Sequence, residues 1–164
     1  MNRNLLIVGA GGHGRVVKEV AEAMACFDDI KFLDDNVQSV MGKFSDYKKY
    51  VVNYSYAFVG IGNCSERSKW LEKLEGVGYN IPVLIHPSAH ISPSSNIKKG
   101  TLVCPKAVIN TNSVVEKGVI IGIGALIDHD CFIGQYSHVN TGAIVHAQSK
   151  VVENSRIDID TLNT

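Results

Sequence analysis

The sequence predicts an α/β unit over residues 1–84 followed by a parallel β-helix over residues 85–164. Three observations carry this. The chain opens with an apolar strand running into a glycine turn and a helix, LLIVGAGGHGRVV. Strand-like and helix-like stretches alternate for about 85 residues, as in units built on a parallel sheet. From Ile85 the hydrophobic period changes to six and holds to Ile157.

In the first half, LLIVG (5–9) reads as a strand and GRVVKEVAEAMA (14–25) as a helix whose apolar face excludes Lys18, Glu19 and Glu22. KFLDD (31–35) is a second strand carrying two acids at its carboxyl end, and YAFVGIG (56–62) a third. SERSKWLEKLEGVG (65–78) has a serine at its start, Ser65, as N-cap and a glycine stop. IPVLI (81–85) is expected to be the last strand of this unit.

In the second half an aliphatic residue falls at every sixth position from Ile85 through Ile127 to Ile157, thirteen times without a miss. Four residues after each stands Ala, Ser, Thr or Cys in twelve of thirteen cases; Val119 is the larger one. Such a period suits a chain that turns a corner every six residues, the aliphatic side chain filling a narrow prism and the small one fitting beside it. This is the hexapeptide signature of a parallel β-helix. Three sides make an eighteen-residue coil, so residues eighteen apart should stack at the ~4.8 Å strand spacing.

Sixteen basic and sixteen acidic residues leave no net charge. That removes the electrostatic footprint expected for nucleic acid or an anionic membrane surface. No apolar run approaches the ~20 residues of a membrane helix, and the N-terminus lacks a signal-peptide core, so a cytoplasmic protein is expected. Cys26, Cys64, Cys104 and Cys131 show neither metal-ligand nor disulfide-framework spacing. His86 and His90 lie beside prolines at the start of the coils, where packing or turn hydrogen bonds explain them and no metal is implied.

Gly9-Ala10-Gly11-Gly12-His13-Gly14 fits GxGxxG after a strand and before a helix. Glycines allow a diphosphate to approach the backbone, and the helix N-terminus offers it N–H groups and a positive dipole end. A tight turn with no ligand is the plain alternative. A nicotinamide-linked oxidoreductase would need two mononucleotide halves, and this unit has room for about one.

His129 stands between Asp128 and Asp130, with Thr111 and Ala147 stacked on it, so no histidine ladder accounts for it. A neutral imidazole can take a proton near neutral pH, and an adjacent carboxylate can fix its tautomer and raise its basicity. Asp128 is a second carboxylate able to orient it, and a solvated corner histidine is the plain alternative. His138 could polarise a carbonyl through its N–H. Cys131 occupies an inward small position and reads as packing.

LIVGAGGHG, FLDD, FVGIGN, LIHPSAHISPSS and IDHDCFIGQYSHVNTGA occur in that order along nearly the whole chain. This combination resembles the PglD/NeuD-type nucleotide-sugar acetyltransferases. The resemblance implies a Rossmann-like N-terminal nucleotide-sugar domain and a left-handed β-helix acyltransferase domain. It implies acetyl transfer from acetyl-CoA, without metal, to an amino group of a UDP-sugar or a hydroxyl of a sialic acid or related sugar. It places Gly11, Gly12 and His13 near the diphosphate and sugar, Asp34 and Asp35 at the end of the second strand, and Gly62 and Asn63 completing the crevice. His129 and Asp130 correspond to the catalytic histidine and the acid after it, where a relative carries Glu. His138, Gly142 and Ala143 are implied to contact acetyl-CoA, and the family's coils imply a homotrimer. Related chains run on for further coils beyond VVENSRIDIDTLNT, so the acyl-donor site is expected to be incomplete unless a neighbouring subunit supplies it. A non-catalytic nucleotide-sugar-binding module is the alternative.

Overall fold

The computed structural model describes residues 2–159, which divide into two compact units with the boundary between Pro82 and Val83.

In the first unit β1 (Leu5–Val8) lies between β2 (Ile30–Leu33) and β3 (Tyr56–Val59), and both pairings are parallel. All four residues of β1 are fully buried, which is why it reads as an unbroken apolar run rather than an alternation. α1 (Gly12–Ala23) buries Val17, Val20 and Ala21, a stripe at helical spacing. α2 (Cys64–Val77) buries Arg67, Leu71 and Leu74 and ends on Gly78, whose φ of 98° gives the left-handed stop read from the sequence. Its N-cap is Asn63 rather than Ser65: the Asn63 side chain accepts from the Glu66 N–H at 3.0 Å, and Ser65 lies inside the first turn.

Residues 36–55 show no apolar periodicity. Seven of them, Phe44–Tyr50, form a 3-10 helix that buries none of its residues fully, so no apolar stripe was there to find. Phe44 and Tyr47 pack on the Trp70 ring at 5.3 and 5.5 Å between centroids.

The strand expected over 81–85 does not join this sheet. Leu84–Ile85 pairs with Leu102–Val103 and is the first rung of the second unit. A short apolar run flanked by Pro82 satisfies either sheet, and only the pairing partner decides.

The second unit is a parallel β-solenoid of two-residue strands in three sheets. One sheet stacks Leu84–Ile85, Leu102–Val103, Ile120–Ile121, His138–Val139 and Arg156–Ile157. The next stacks His90–Ile91, Val108–Ile109, Leu126–Ile127 and Ile144–Val145. The third stacks Asn96–Ile97, Val114–Val115, Phe132–Ile133 and Lys150–Val151. Every pairing joins residues eighteen apart. The hexad aliphatics from Val103 to Ile157 form one buried core with Ala107, Ala125, Cys131 and Ala143.

Two details exceed the sequence reading. Positive φ recurs every sixth residue from Gly100 to Asn154, so each corner turns through one left-handed residue. Six of these ten positions carry side chains, among them Asn112 and Asp130, both with φ 58°. The inward small residues also bond. Thr101, Ser113 and Ser137 hydroxyls donate to the carbonyls of Glu116, Asp128 and Val152, each fifteen residues on. Corner carbonyls turned inward need a donor, so hydroxyls suit these positions as well as small size does.

Candidate active site

In the first unit the candidate residues converge at the carboxyl ends of the three strands. Gly11 is the N-cap of α1 and Gly12 its first residue; both are exposed, and a Cβ on either would meet nothing within 4 Å. Gly14 is different: a Cβ there would lie 2.0 Å from the Gly9 carbonyl oxygen, so the helix and β1 approach as closely as backbone permits. The first-turn N–H groups are thus presented over glycines that leave room for a ligand. The His13 ring lies 4.0 Å from the place a Gly62 Cβ would take. Its pKa is lowered to about 4, first by burial and then by the positive Arg67. His13 is therefore neutral near pH 7 and can offer an N–H without adding charge.

Asp34 is drawn inward. Its Oδ2 accepts from the Ala10 N–H at 2.8 Å, and its Oδ1 from Asn36 and Val37 at 2.8 and 3.1 Å. Against partial burial, which raises it, these three donors hold the carboxyl below its ordinary range. Asp34 thus braces the glycine turn. Asp35 accepts from the Phe44 N–H through Oδ1 and tethers the start of the 3-10 helix. A pocket lies beside both acids, lined also by Asn36, Val37, Gly42 and Lys43.

The sequence reading missed Arg67. It is 1% exposed, and its guanidinium donates to the carbonyls of Ile61 and Gly62 at 3.2 and 2.7 Å. It fixes the turn after β3 in which Gly62 and Asn63 sit. An arginine in a surface-helix pattern gives no sign of such burial, so sequence offered no signal.

In the second unit His129 and Asp130 form the corner between the strands Leu126–Ile127 and Phe132–Ile133. His129 Nδ1 lies 2.7 Å from Asp130 Oδ2. A carboxylate only accepts, so Nδ1 carries the proton and Nε2 is left with its lone pair. The same hydrogen bond, aided by the charges of Asp128 and Asp130, raises the imidazole pKa above its usual 6.5. Asp128 does not reach the ring: its Oδ1 accepts from the His129 backbone N–H at 2.7 Å and from Asn110 Nδ2 at 3.1 Å. Asp130 Oδ1 accepts from Asn112 Nδ2 at 3.2 Å. Asn110 and Asn112 were legible in principle, since the eighteen-residue register stacks them on the two aspartates.

His138 is half-buried on another sheet, between Ile120 and Arg156 in the stack. Gly142 has φ 70° at the next corner, beside the exposed Ile123 and Ile159. These leave an open apolar shelf at that corner. The Ala143 methyl points into the core and is fully buried, so Ala143 offers a ligand no side-chain surface. Cys131 is buried too, with its thiol on the His146 carbonyl at 3.1 Å, and burial raises its pKa; it takes the place of the inward hydroxyls.

Within one chain, therefore, the imidazole–carboxylate pair and the His138–Gly142 group occupy different corners of the prism, with the sheet carrying Leu126 and Ile144 between them. Among the described residues no cluster of His, Cys, Asp or Glu could hold a metal, and no helix is long and apolar enough to cross a membrane.

Comparison with known proteins bears on the whole chain. The PglD N-terminal domain matches residues 4–74. UDP-N-acetylbacillosamine N-acetyltransferase of Bacillus subtilis (strain 168) is 30% identical over 112 residues, 62% of this chain and 51% of that protein. The chain thus spans about half the length of this curated relative. The acetyltransferase domain of PglB from Neisseria gonorrhoeae FA1090 superposes with a TM-score of 0.91 at 37% identity, over 94% of this chain and 79% of that one. The same domain in complex with acetyl-coenzyme A gives 0.88 at 33%, over 95% and 88%. PerB from Caulobacter crescentus, in complex with CoA and GDP-perosamine, gives 0.75 at 27%, over 94% and 91%. The coils are accordingly the left-handed β-helix of hexapeptide-repeat acetyltransferases. With the glycine turn, the stacked hexads and these superpositions together, the chain belongs to the PglD-type family of sugar acetyltransferases.

Proposed function

We propose that this protein transfers the acetyl group of acetyl-CoA to an amino group of a nucleotide-linked sugar, with His129 as general base. Hydroxyl acetylation of a sialic acid or related sugar is the other acceptor chemistry the fold admits. The two relatives named for a sugar nucleotide, one acting on UDP-N-acetylbacillosamine and one bound to GDP-perosamine, favour an amine. The carrying observation is the His129–Asp130 pair at 2.7 Å, exposed on a corner. In the reaction the acceptor nitrogen attacks the thioester carbonyl while its proton passes to His129 Nε2. The C–S bond then breaks, and the imidazolium returns the proton to the departing thiolate. Asp130 stabilises the imidazolium and holds the tautomer throughout.

Gly11, Gly12 and the neutral His13 receive the diphosphate, with Gly62 and Asn63 beside them. Asp34 shapes the turn, and Asp35 faces the nucleoside. His138 and Gly142 hold the acyl donor, with Ala143 packing beneath them. Because one chain carries base and donor residues on different corners, the reading includes a homotrimer in which one copy's corner meets another's. A closed ring satisfies such a head-to-tail contact. Exposed Leu126 and Ile144 on one face and Phe132 on the next provide apolar surface for it.

The test follows thiol release from acetyl-CoA with UDP- and GDP-linked amino sugars. His129→Ala is expected to lower kcat by about 10²–10⁴-fold. A variant as active as the parent would remove His129 from the reaction. Calorimetry showing sugar-nucleotide binding without CoA binding would favour the non-catalytic module.

A further inference from the structure

We infer that Asn112, one coil away from the His129–Asp130 pair, is a positioning residue that sets which oxygen of Asp130 addresses the imidazole. The inference rests on the reading of His129 as base.

Asp130 has two carboxylate oxygens and one imidazole to serve. Its side chain is exposed on a corner, where a free carboxylate would rotate and exchange with water. The structure divides the oxygens: Oδ2 faces His129 Nδ1 at 2.7 Å, while Oδ1 takes Asn112 Nδ2 at 3.2 Å. Asn112 is itself anchored, its backbone N–H donating to Ser94 Oγ at 3.1 Å. Ser94, Asn112 and Asp130 are successive members of one corner column at eighteen-residue spacing. The corner suits the residue types: both 112 and 130 have φ 58°, a left-handed conformation in which Asn and Asp are enriched. Their short side chains then meet along the stack.

The titratable groups facing the pair are few. Asp128 lies on the same coil, and His146, one coil on, faces Asp128. Asn110, Asn112 and Thr111 on the coil before are neutral, as are Ala147 and Gln148 on the coil after. Loss of the Asn112 amide therefore reaches the imidazole through Asp130, to which it is bonded.

Two substitutions keep the corner and change the donor. Asn112→Gly retains the positive φ and removes the amide; Asn112→Asp retains shape and replaces the donor with a carboxylate. Each is checked by melting curve, and the His129 ring is titrated by NMR, which needs no turnover. In Asn112→Gly the His129 midpoint is expected to fall toward that of a free imidazole, with kcat down about tenfold and both KM values within about twofold. In Asn112→Asp the midpoint is expected to rise, because a second negative charge joins the pair. The fall in Asn112→Gly identifies the orienting role, which coil packing would not produce, and the rise in Asn112→Asp checks that position 112 faces the pair. An unchanged midpoint in Asn112→Gly, with or without a loss of kcat, would overturn the inference whatever Asn112→Asp does. An active His129→Ala enzyme would instead defeat the base assignment and leave the NMR result standing.

Discussion

At the scale of single residues, chemistry is decided by which atom of each polar side chain is already spoken for. Asp34 and Asp130 are both acids that follow a strand, yet one faces backbone N–H groups and the other an imidazole. His13 and His129 diverge in the same way: burial and Arg67 keep one neutral, while a carboxylate raises the other. A pH dependence follows from the second. His129 works as a base only when neutral, so with its pKa raised above 6.5, activity is low below that value and grows as pH rises through it. Asp130→Asn removes the cause of the shift, and the acid limb of kcat/KM is expected to move to lower pH. The plateau is expected to drop about 10²-fold or more, because an amide can also stabilise the wrong tautomer. A pH–rate profile of both proteins checks this. The histidine and its flanking acids were readable from their misfit with the hexads. The division of labour between Asp128 and Asp130 was not, because both are adjacent to His129 in sequence and only side-chain geometry separates them.

Among the elements, the strand–turn–helix at the N-terminus separates glycines that shape the fold from those that leave room for a ligand. Gly14 lets α1 close on β1, and Gly14→Ala would drive a Cβ to 2.0 Å from the Gly9 carbonyl. It is expected to cost more than about 3 kcal/mol, read as a lowered melting temperature. Gly12→Ala meets no atom within 4 Å and is expected to leave the melting temperature nearly unchanged while weakening sugar-nucleotide binding about tenfold. Calorimetry and thermal melts on the two variants separate these outcomes; equal binding in Gly12→Ala would take the diphosphate away from this turn. The element boundaries illustrate the limits of periodicity. α1 and α2 begin one or two residues before their expected starts, since caps are set by backbone geometry and Asn63 outcompetes Ser65. The 3-10 helix Phe44–Tyr50 had no apolar stripe to announce it.

At the scale of the whole molecule, the hexads turn one residue of each second-unit strand inward, and the outward positions beside them leave a sheet face bearing Leu126 at 42% and Ile144 at 44% exposure. Such a face asks for a partner. Under the proposed trimer, the parent protein is expected to sediment as three chains and Leu126→Asp as one, with activity lost together with assembly. An active single-chain parent would show that one chain completes the site.

The sequence by itself determined the two-part architecture, the eighteen-residue stacking and the inward residues, because a six-residue period has one economical solution in three dimensions. It also marked His129, Asp130 and His138 as letters the repeat does not need. Tertiary structure decided what local pattern cannot carry. It assigned Leu84–Ile85 to the coils, buried Arg67 beneath the β3 turn, and chose the carboxylate oxygens to which Asn112 and Asn110, already stacked by the register, donate. It also set the imidazole pair and the His138–Gly142 group on separate corners. Each of these depends on groups brought together from distant positions in the chain, and a hydrogen bond is specified by the positions of both partners.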